Sequence, residues 1–169
     1  MPRNIEIKAR ITSVDALLPR ALALADGPAT PIAQDDTFFA VPHGRLKLRE
    51  FADGSAELIH YHRSDSPDAK ASDYVLVPVP NPTALRLALQ RSCGVVGRVQ
   101  KQRLLLLVGQ TRIHLDQVQG LGSFMELEVV LRAEQTDAEG SAIAQNLMAA
   151  LGLANAELLA DAYLDMLVA

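Results

Sequence analysis

Arg45, Lys47 and Arg49 stand two residues apart, so in an extended chain their side chains leave from one face. Lys101 and Arg103 share a face of a second segment. Glu126 and Glu128 share a third, with Leu127 and Val129 opposite. Arg112, His114 and Asp116 form a fourth set, with Ile113 and Leu115 opposite, and Glu6 and Lys8 a fifth. For any one strand the simple reading is an ordinary sheet with charge outside. Whole faces of one sign weaken that reading, because unit charges about 6 Å apart repel by about 0.7 kcal/mol in water and several-fold more at an effective dielectric near 20. A polyanion together with a divalent metal relieves crowding of both signs. Six cations (Lys8, Arg45, Lys47, Arg49, Lys101 and Arg103) and four carboxylates (Glu6, Asp116, Glu126 and Glu128) are available. Hard carboxylate oxygens suit Mg²⁺ or Mn²⁺, arginine offers a planar fork to phosphate, and lysine a compact charge. No Gly-rich Walker-type motif is present, so strand side chains must hold the phosphates, and a closed barrel with a polar interior supplies that geometry.

The segments that must carry these groups are legible from periodicity. Ile5, Ile7, Ala9 and Ile11 alternate with Glu6, Lys8 and Arg10, which predicts a strand. Ser13 caps a predicted helix that Gly27-Pro28 ends. Residues from about Ile32 to Val41 read as extended. A strand at Arg45–Arg49 follows, with a hairpin turn at Asp53-Gly54 leading into Ala56–Tyr61. Arg63 to Ser72 reads as a polar loop and Tyr74 to Val79 as a strand. Asn81 caps a helix with Pro82 in its first turn, running to about Ser92 and stopped by Gly94. Strands are predicted at Val95–Val108, Thr111–Val118 and Ser123–Arg132. After Thr136 the Ala/Leu-rich remainder reads as two helices broken near Gly152-Leu153. Together these predict an α+β fold, an antiparallel barrel or strongly curved sheet with helices packed outside.

Composition removes several classes. The 169 residues suit about one domain, and with 49% apolar and 21% charged residues they are not disordered as a whole. A single cysteine, Cys93, forms no internal bridge and no cysteine-ligated zinc site; it reads as a small apolar residue at a helix end. A net charge of −4, no tryptophan and few other aromatic residues argue against nucleic acid. The longest purely apolar run, Leu104 to Val108, argues against a membrane span, and the expected location is the cytoplasm. His60 and His62 read as solvated or core-edge side chains, and Asp35 and Asp36 as residues that start or bend a strand. His114 shares the face of Asp116, with a role beside a metal ligand and a structural hydrogen bond equally open.

Taken in order, Ile5-Glu6-Ile7-Lys8-Ala9-Arg10, Arg45-Leu46-Lys47-Leu48-Arg49, Lys101-Gln102-Arg103, His114-Leu115-Asp116 and Glu126-Leu127-Glu128 resemble the CYTH superfamily, the triphosphate tunnel metalloenzymes. The resemblance spans essentially the whole chain and implies one domain over 1–169, with an eight-stranded antiparallel β-barrel over about 1–133 and C-terminal helices over about 136–169. Gln34-Asp35-Asp36-Thr37-Phe38-Phe39 and Ala162-Tyr163-Leu164-Asp165-Met166-Leu167 look more like the class IV adenylate cyclase branch than the thiamine triphosphatase branch, and a homodimer would be unsurprising there. The resemblance further implies Glu6, Glu126 and Glu128 as ligands of Mg²⁺ or Mn²⁺ and Asp116 as a ligand of the metal or its waters. It gives Arg45, Lys47, Arg49, Lys101 and Arg103 as phosphate contacts and Lys8 as the group beside the reacting phosphate. Arg63 and Lys70 flank the polar loop within potential reach of substrate. The family's E-x-E-x-K opening begins here with Asn4 in place of its first Glu. Three functions therefore stand at this stage. The first is an enzyme acting on a triphosphate (ATP, thiamine triphosphate or tripolyphosphate) as cyclase or hydrolase, the second a non-catalytic polyphosphate- or nucleotide-binding module, and the third a plain structural barrel.

Overall fold

A computed structural model describes residues 3–63 and 70–169. Eight strands, β1 (Arg3–Arg10), β2 (Thr30–Phe39), β3 (Arg45–Phe51), β4 (Ala56–Arg63), β5 (Lys70–Pro78), β6 (Val95–Val108), β7 (Thr111–Val118) and β8 (Gly122–Val130), close into a barrel in the order β1-β5-β4-β3-β2-β6-β7-β8. Every neighbouring pair is antiparallel. The helices among the described residues are α1 (Val14–Leu24), α2 (Pro82–Cys93), α3 (Asp137–Ala150) and α4 (Tyr163–Val168).

Period-two patterning sorts each strand into two faces, and the apolar face points out. Ile5, Ile7 and Ala9 of β1, Leu115 of β7 and Met125, Leu127 and Val129 of β8 are buried under Val14, Leu17 and Ala21 of α1 and Ala144 and Met148 of α3. Each such Leu, Ile or Met is worth about 1.5–3 kcal/mol on burial, so the main core lies between the wall and the helices. That leaves the interior free to be polar. The fit of α3 against β1 depends on Gly140, where a Cβ would come within 2.6 Å of both Ile5 and Leu131 side-chain atoms. A second apolar cluster (Phe38, Val99, Val118 and Phe124 with Tyr163 and Leu164 of α4) closes one end of the barrel, and Phe39, Leu48 and Ala56 lie under α2.

The helix signals act as expected. Ser13 Oγ accepts from the Ala16 N–H at 3.0 Å, and Asn81 Oδ1 from the Ala84 N–H at 3.1 Å. Thr136 and Glu139 form a reciprocal capping box at the start of α3. Two elements differ from expectation. Residues 70–72 belong to β5, because the barrel closes by pairing Arg3–Glu6 of β1 with Asp73–Lys70; the rest of the expected loop, 64–69, lies outside the described residues. The second C-terminal helix is only Tyr163–Val168. Between it and α3 the chain spends its hydrogen bonds on the barrel: the Leu159 N–H donates to the Lys8 carbonyl at 2.9 Å, and Leu158 bridges Ala9. This strap across β1 is what delivers α4 to the barrel end. No helix among the described residues is long and apolar enough to cross a membrane.

Candidate active site in the barrel interior

The inward faces of the strands line a cavity of about 600 Å³. It contains Lys8, Lys47, Arg49, Lys101 and Arg103, and also Glu6, Glu126 and Glu128, so the ribbons of opposite charge converge on one lumen. Two arginine anchors organise it. Arg49 and Asp36 face each other across the β2–β3 ladder, and Arg49 Nε and Nη2 each donate to the Asp36 carboxylate at 2.8 Å. Lys101 Nζ approaches the same carboxylate at 3.2 Å and Lys47 Nζ at 3.5 Å. Asp36 is 1% exposed, so one buried anion gathers three cations. Arg103 and Asp116 face each other across the β6–β7 ladder; Arg103 Nε and Nη2 each donate to Asp116 at 2.7 Å, and Arg103 Nη2 also reaches Glu126 Oε2 at 3.2 Å. The Tyr163 hydroxyl, brought in by α4, donates to Asp116 Oδ2 at 2.8 Å.

Both Asp116 oxygens accept hydrogen bonds, from Arg103 and Tyr163, in a fully buried environment, so this carboxylate aims the Arg103 guanidinium. The pairing follows from register, which sets Asp116 opposite an arginine. Arg45 is turned to Asp165 of α4 at 2.8 Å. The side chains of Arg63 and Lys70 lie outside the described ones. His60 Nε2–H donates to the His43 carbonyl at 2.9 Å, the core-edge role expected of it. Cys93 is half-buried at the end of α2.

The acidic side is built from β1 and β8. Their register sets Glu6 opposite Glu128 and Lys8 opposite Glu126. Lys8 Nζ lies 3.4 Å from Glu126 Oε1, donates to the Asp161 carbonyl at 3.0 Å, and sits 4.1 Å from the centroid of the Tyr163 ring. His114 lies between the carboxylates, Nδ1 3.8 Å from Glu126 Oε2 and Nε2 3.8 Å from Glu128 Oε2. Asn4 donates through Nδ2 to Glu128, while its buried Oδ1 has no hydrogen-bond partner among the described residues. Directly opposed carboxylates destabilise a ladder, and a divalent cation removes that cost. Among the described residues no three of His, Cys, Asp and Glu are grouped to hold an ion by themselves. The donor set fits an ion of the Mg²⁺ type, which takes one or two carboxylates and completes its shell with water and substrate phosphates.

The charges of these groups follow from burial and neighbours. Burial opposes ionisation of Asp36, but Arg49, Lys101 and Lys47 outweigh it and hold the carboxyl well below the usual range. Glu126 is likewise held low against burial by Lys8, His114 and Arg103. Burial, then the charge of Arg103, pushes His114 down, and burial with Glu126 and Asp116 pushes the Tyr163 phenol up. Burial brings Lys101 down to about 7, with Asp36 opposing and Arg49, Arg103 and Lys47 adding to it; burial and Arg49 bring Lys47 to about 8. The unfolded chain holds these lysine protons to higher pH than the folded one, so this pair's contribution to stability rises with pH from about 7 towards the unfolded value near 10.4. A bound polyanion reverses the preference. Tripolyphosphate binding at pH 8 is expected to take up about one proton, read by calorimetry in buffers of different ionisation enthalpy, with affinity falling up to about tenfold per pH unit above neutrality. Binding without proton uptake would mean these lysines do not meet the phosphates.

Sequence reasoning passed over Asp36 and Tyr163 as site residues. The usable signal for Asp36 was parity: Gln34, Asp36 and Phe38 share the face that lines the cavity, whereas Asp35 turns outward to Arg98. Tyr163 carries no local signal of its role, since only the strap places it.

Against protein families, the CYTH domain model matches residues 2–163. The chain belongs to the CYTH family. Among solved structures, a protein from Pyrococcus horikoshii superposes with a TM-score of 0.84 at 22% identity, covering 96% of this chain and 98% of the other. A Vibrio parahaemolyticus protein described as a candidate adenylate cyclase superposes with 0.80 at 21% identity, covering 98% of both chains. A Hippeastrum protein, described as a candidate adenylyl cyclase with a dominant triphosphatase activity, superposes with 0.71 at 14% identity, covering 98% of this chain and 94% of the other. These likenesses show the CYTH tunnel barrel. No curated protein matches the chain.

Proposed function

We propose that this CYTH protein is a divalent-metal-dependent enzyme that acts on a triphosphate inside its barrel, with class IV adenylate cyclase chemistry, converting ATP to cyclic AMP and pyrophosphate. The carrying observation is the convergence of Lys47, Arg49, Lys101 and Arg103 on one lumen that also holds Glu126 and Glu128. Phosphoryl chemistry asks the protein chiefly for position and for neutralisation of the non-bridging oxygens. The two anchored arginines supply donors that need no reorganisation when charge develops. Glu126 and Glu128, with Glu6 opposite, would hold Mg²⁺ or Mn²⁺, which when bound supplies positive charge to the phosphate oxygens. In the cyclase reaction the ribose 3′-oxygen bonds to the α-phosphorus, the bond from that phosphorus to the bridging oxygen breaks, pyrophosphate leaves, and the 3′-hydroxyl proton passes to solvent. Lys8, held between Glu126 and the Asp161 carbonyl, stands beside the reacting phosphate and offsets its charge.

Hydrolysis is the second reading. The dominant triphosphatase activity in the Hippeastrum relative's description favours it, and the same wall would serve water attacking the terminal phosphorus. Incubation with ATP, thiamine triphosphate and tripolyphosphate in Mg²⁺ and Mn²⁺, followed by product separation, decides. Cyclic AMP with pyrophosphate supports the cyclase, orthophosphate with the diphosphate supports the hydrolase, and no turnover by folded protein removes both.

Asn4 supplies a further test. It presents an amide to Glu128 where a further carboxylate would add a hard donor. Asn4→Glu is expected to tighten Mn²⁺ binding by at least about tenfold, the low end of what altering a metal ligand's partner does, and to raise turnover at limiting metal. Calorimetry and a metal titration of the rate read both effects. Weaker Mn²⁺ binding would place the ion elsewhere.

A further inference from the structure

The two oxygens of Glu128 have different surroundings. In the ladder Glu128 lies between Glu6 of β1 and Arg112 of β7, so a carboxylate stands on one side of it and a guanidinium on the other. Arg112 Nη1 is 3.6 Å from Glu128 Oε1, and Asn4 Nδ2 donates to that same oxygen. Glu128 Oε2 is instead 3.8 Å from His114 Nε2, and Glu126 Oε2 is 3.8 Å from the other nitrogen of that ring. Arg112 stands opposite Leu107 in the β6–β7 register and lines the cavity, with 46% of its side chain exposed.

The opposed carboxylates of Glu6 and Glu128 call for positive charge on this row of the wall. A divalent ion supplies it only through oxygen ligands. At Glu128 Oε1 the neighbours are an amide NH₂ and a guanidinium, which present donors and no lone pair. A guanidinium is charged at any working pH and depends on no free metal. Resting on the metal and triphosphate reading above, we propose that Arg112 takes the place of a second divalent ion. The chain carries one ion, on the His114 side of Glu128 shared with Glu126, and Arg112 supplies the charge on the other side. Half-exposed and held only at its own strand, the guanidinium rests on Glu128 before substrate arrives and turns to the phosphate nearest the mouth afterwards.

The test is Mn²⁺ binding to the parent, Arg112→Ala, Arg112→Lys and the double variant Asn4→Glu with Arg112→Ala. Calorimetry gives the stoichiometry and electron paramagnetic resonance the coupling between ions. The parent and Arg112→Lys are expected to bind one Mn²⁺ per chain. The double variant is expected to bind two, with the spin coupling of ions about 3.5–4 Å apart. Arg112→Ala should tighten the first Mn²⁺ about two- to fivefold, the size of an exposed ion pair. It should weaken tripolyphosphate, titrated in excess Mg²⁺, by about tenfold or more, because a charged donor to phosphate is lost. Arg112→Lys should restore most of both. Opposite signs for ion and polyanion distinguish this role from a structural one, in which a loosened site weakens both. Two ions in the parent, one ion in the double variant, or an unchanged tripolyphosphate affinity in Arg112→Ala overturns the inference and leaves the triphosphate reading intact. If the folded parent binds neither Mn²⁺ nor tripolyphosphate, the triphosphate reading itself fails and this inference falls with it.

Discussion

Arg103→Ala is expected to lower kcat/KM for the preferred triphosphate by about 10²–10³, the cost of removing one preorganised donor to transition-state charge. Arg103 is suited to such a loss because its geometry is set before substrate arrives. Asp116 holds Nε and Nη2, Tyr163 holds Asp116, and Nη2 also reaches Glu126. The guanidinium thus links the basic wall to the acidic one. Arg103→Lys is expected to recover little, because an ammonium cannot fork onto Asp116 and keep its direction towards a phosphate oxygen. Removing Arg103 also strands a fully buried carboxylate, so each variant is compared at a temperature where circular dichroism shows it folded. Tyr163→Phe separates aiming from charge, since it removes only the hydroxyl donor to Asp116. Full activity in folded Arg103→Ala would remove Arg103 from the chemistry.

Asp36→Asn is the second large effect, and it appears first in stability. Among the described residues Asp36 is the one anion within 3.5 Å of Arg49, Lys101 and Lys47, all three on the cavity wall. Breaking a buried pair on one side costs about 3–5 kcal/mol because the remaining charge is left uncompensated. Urea unfolding should show a loss of that size. Tripolyphosphate should then return more stability to the variant than to the parent, because its oxygens replace the missing carboxylate and meet less repulsion. A ligand at one hundred times its Kd contributes about 2.7 kcal/mol, so much of the loss is recoverable. A variant as stable as the parent, or one that tripolyphosphate does not help more, contradicts the idea that Asp36 holds the place of a polyanion.

The pH dependence of the parent has the matching sign. Asp36 and Glu126 are held well below the usual carboxylate range, so their contribution to stability is complete above the unfolded value and is lost as pH falls through the folded one. Acid thus dismantles the pairing of the barrel interior before it touches the apolar layer under α1 and α3.

Strand parity explains what was readable in the sequence and what was not. Arg45-Leu46-Lys47-Leu48-Arg49 announces both a strand and its two faces, and the concentration of one sign on a face indicates an enclosed partner. Parity does not say which residue a strand will oppose. His114-Leu115-Asp116 shows a histidine and a carboxylate on one face, but only register shows that Arg103 stands across from Asp116 and forks onto it. Asp35-Asp36 reads as a pair that starts or bends a strand, because aspartate is disfavoured in strand interiors. In the barrel it is the middle of β2, with one carboxylate on Arg98 outside and the other on three cations inside. The C-terminal region was legible as helical from its Ala and Leu content, and α3 follows it. Residues 151–162 instead run as a strap held to Lys8 and Ala9, contacts nearly the full chain length away that no local propensity encodes.

The most direct measurement is a crystal structure of the protein with tripolyphosphate and Mn²⁺, with the ion located by its anomalous scattering. The phosphates are expected inside the barrel against Arg49, Lys101 and Arg103, and manganese at the carboxylates of Glu126 and Glu128. Phosphate and manganese found only on the outer wall, with the interior pairs of Asp36 and Asp116 undisturbed, would contradict that placement.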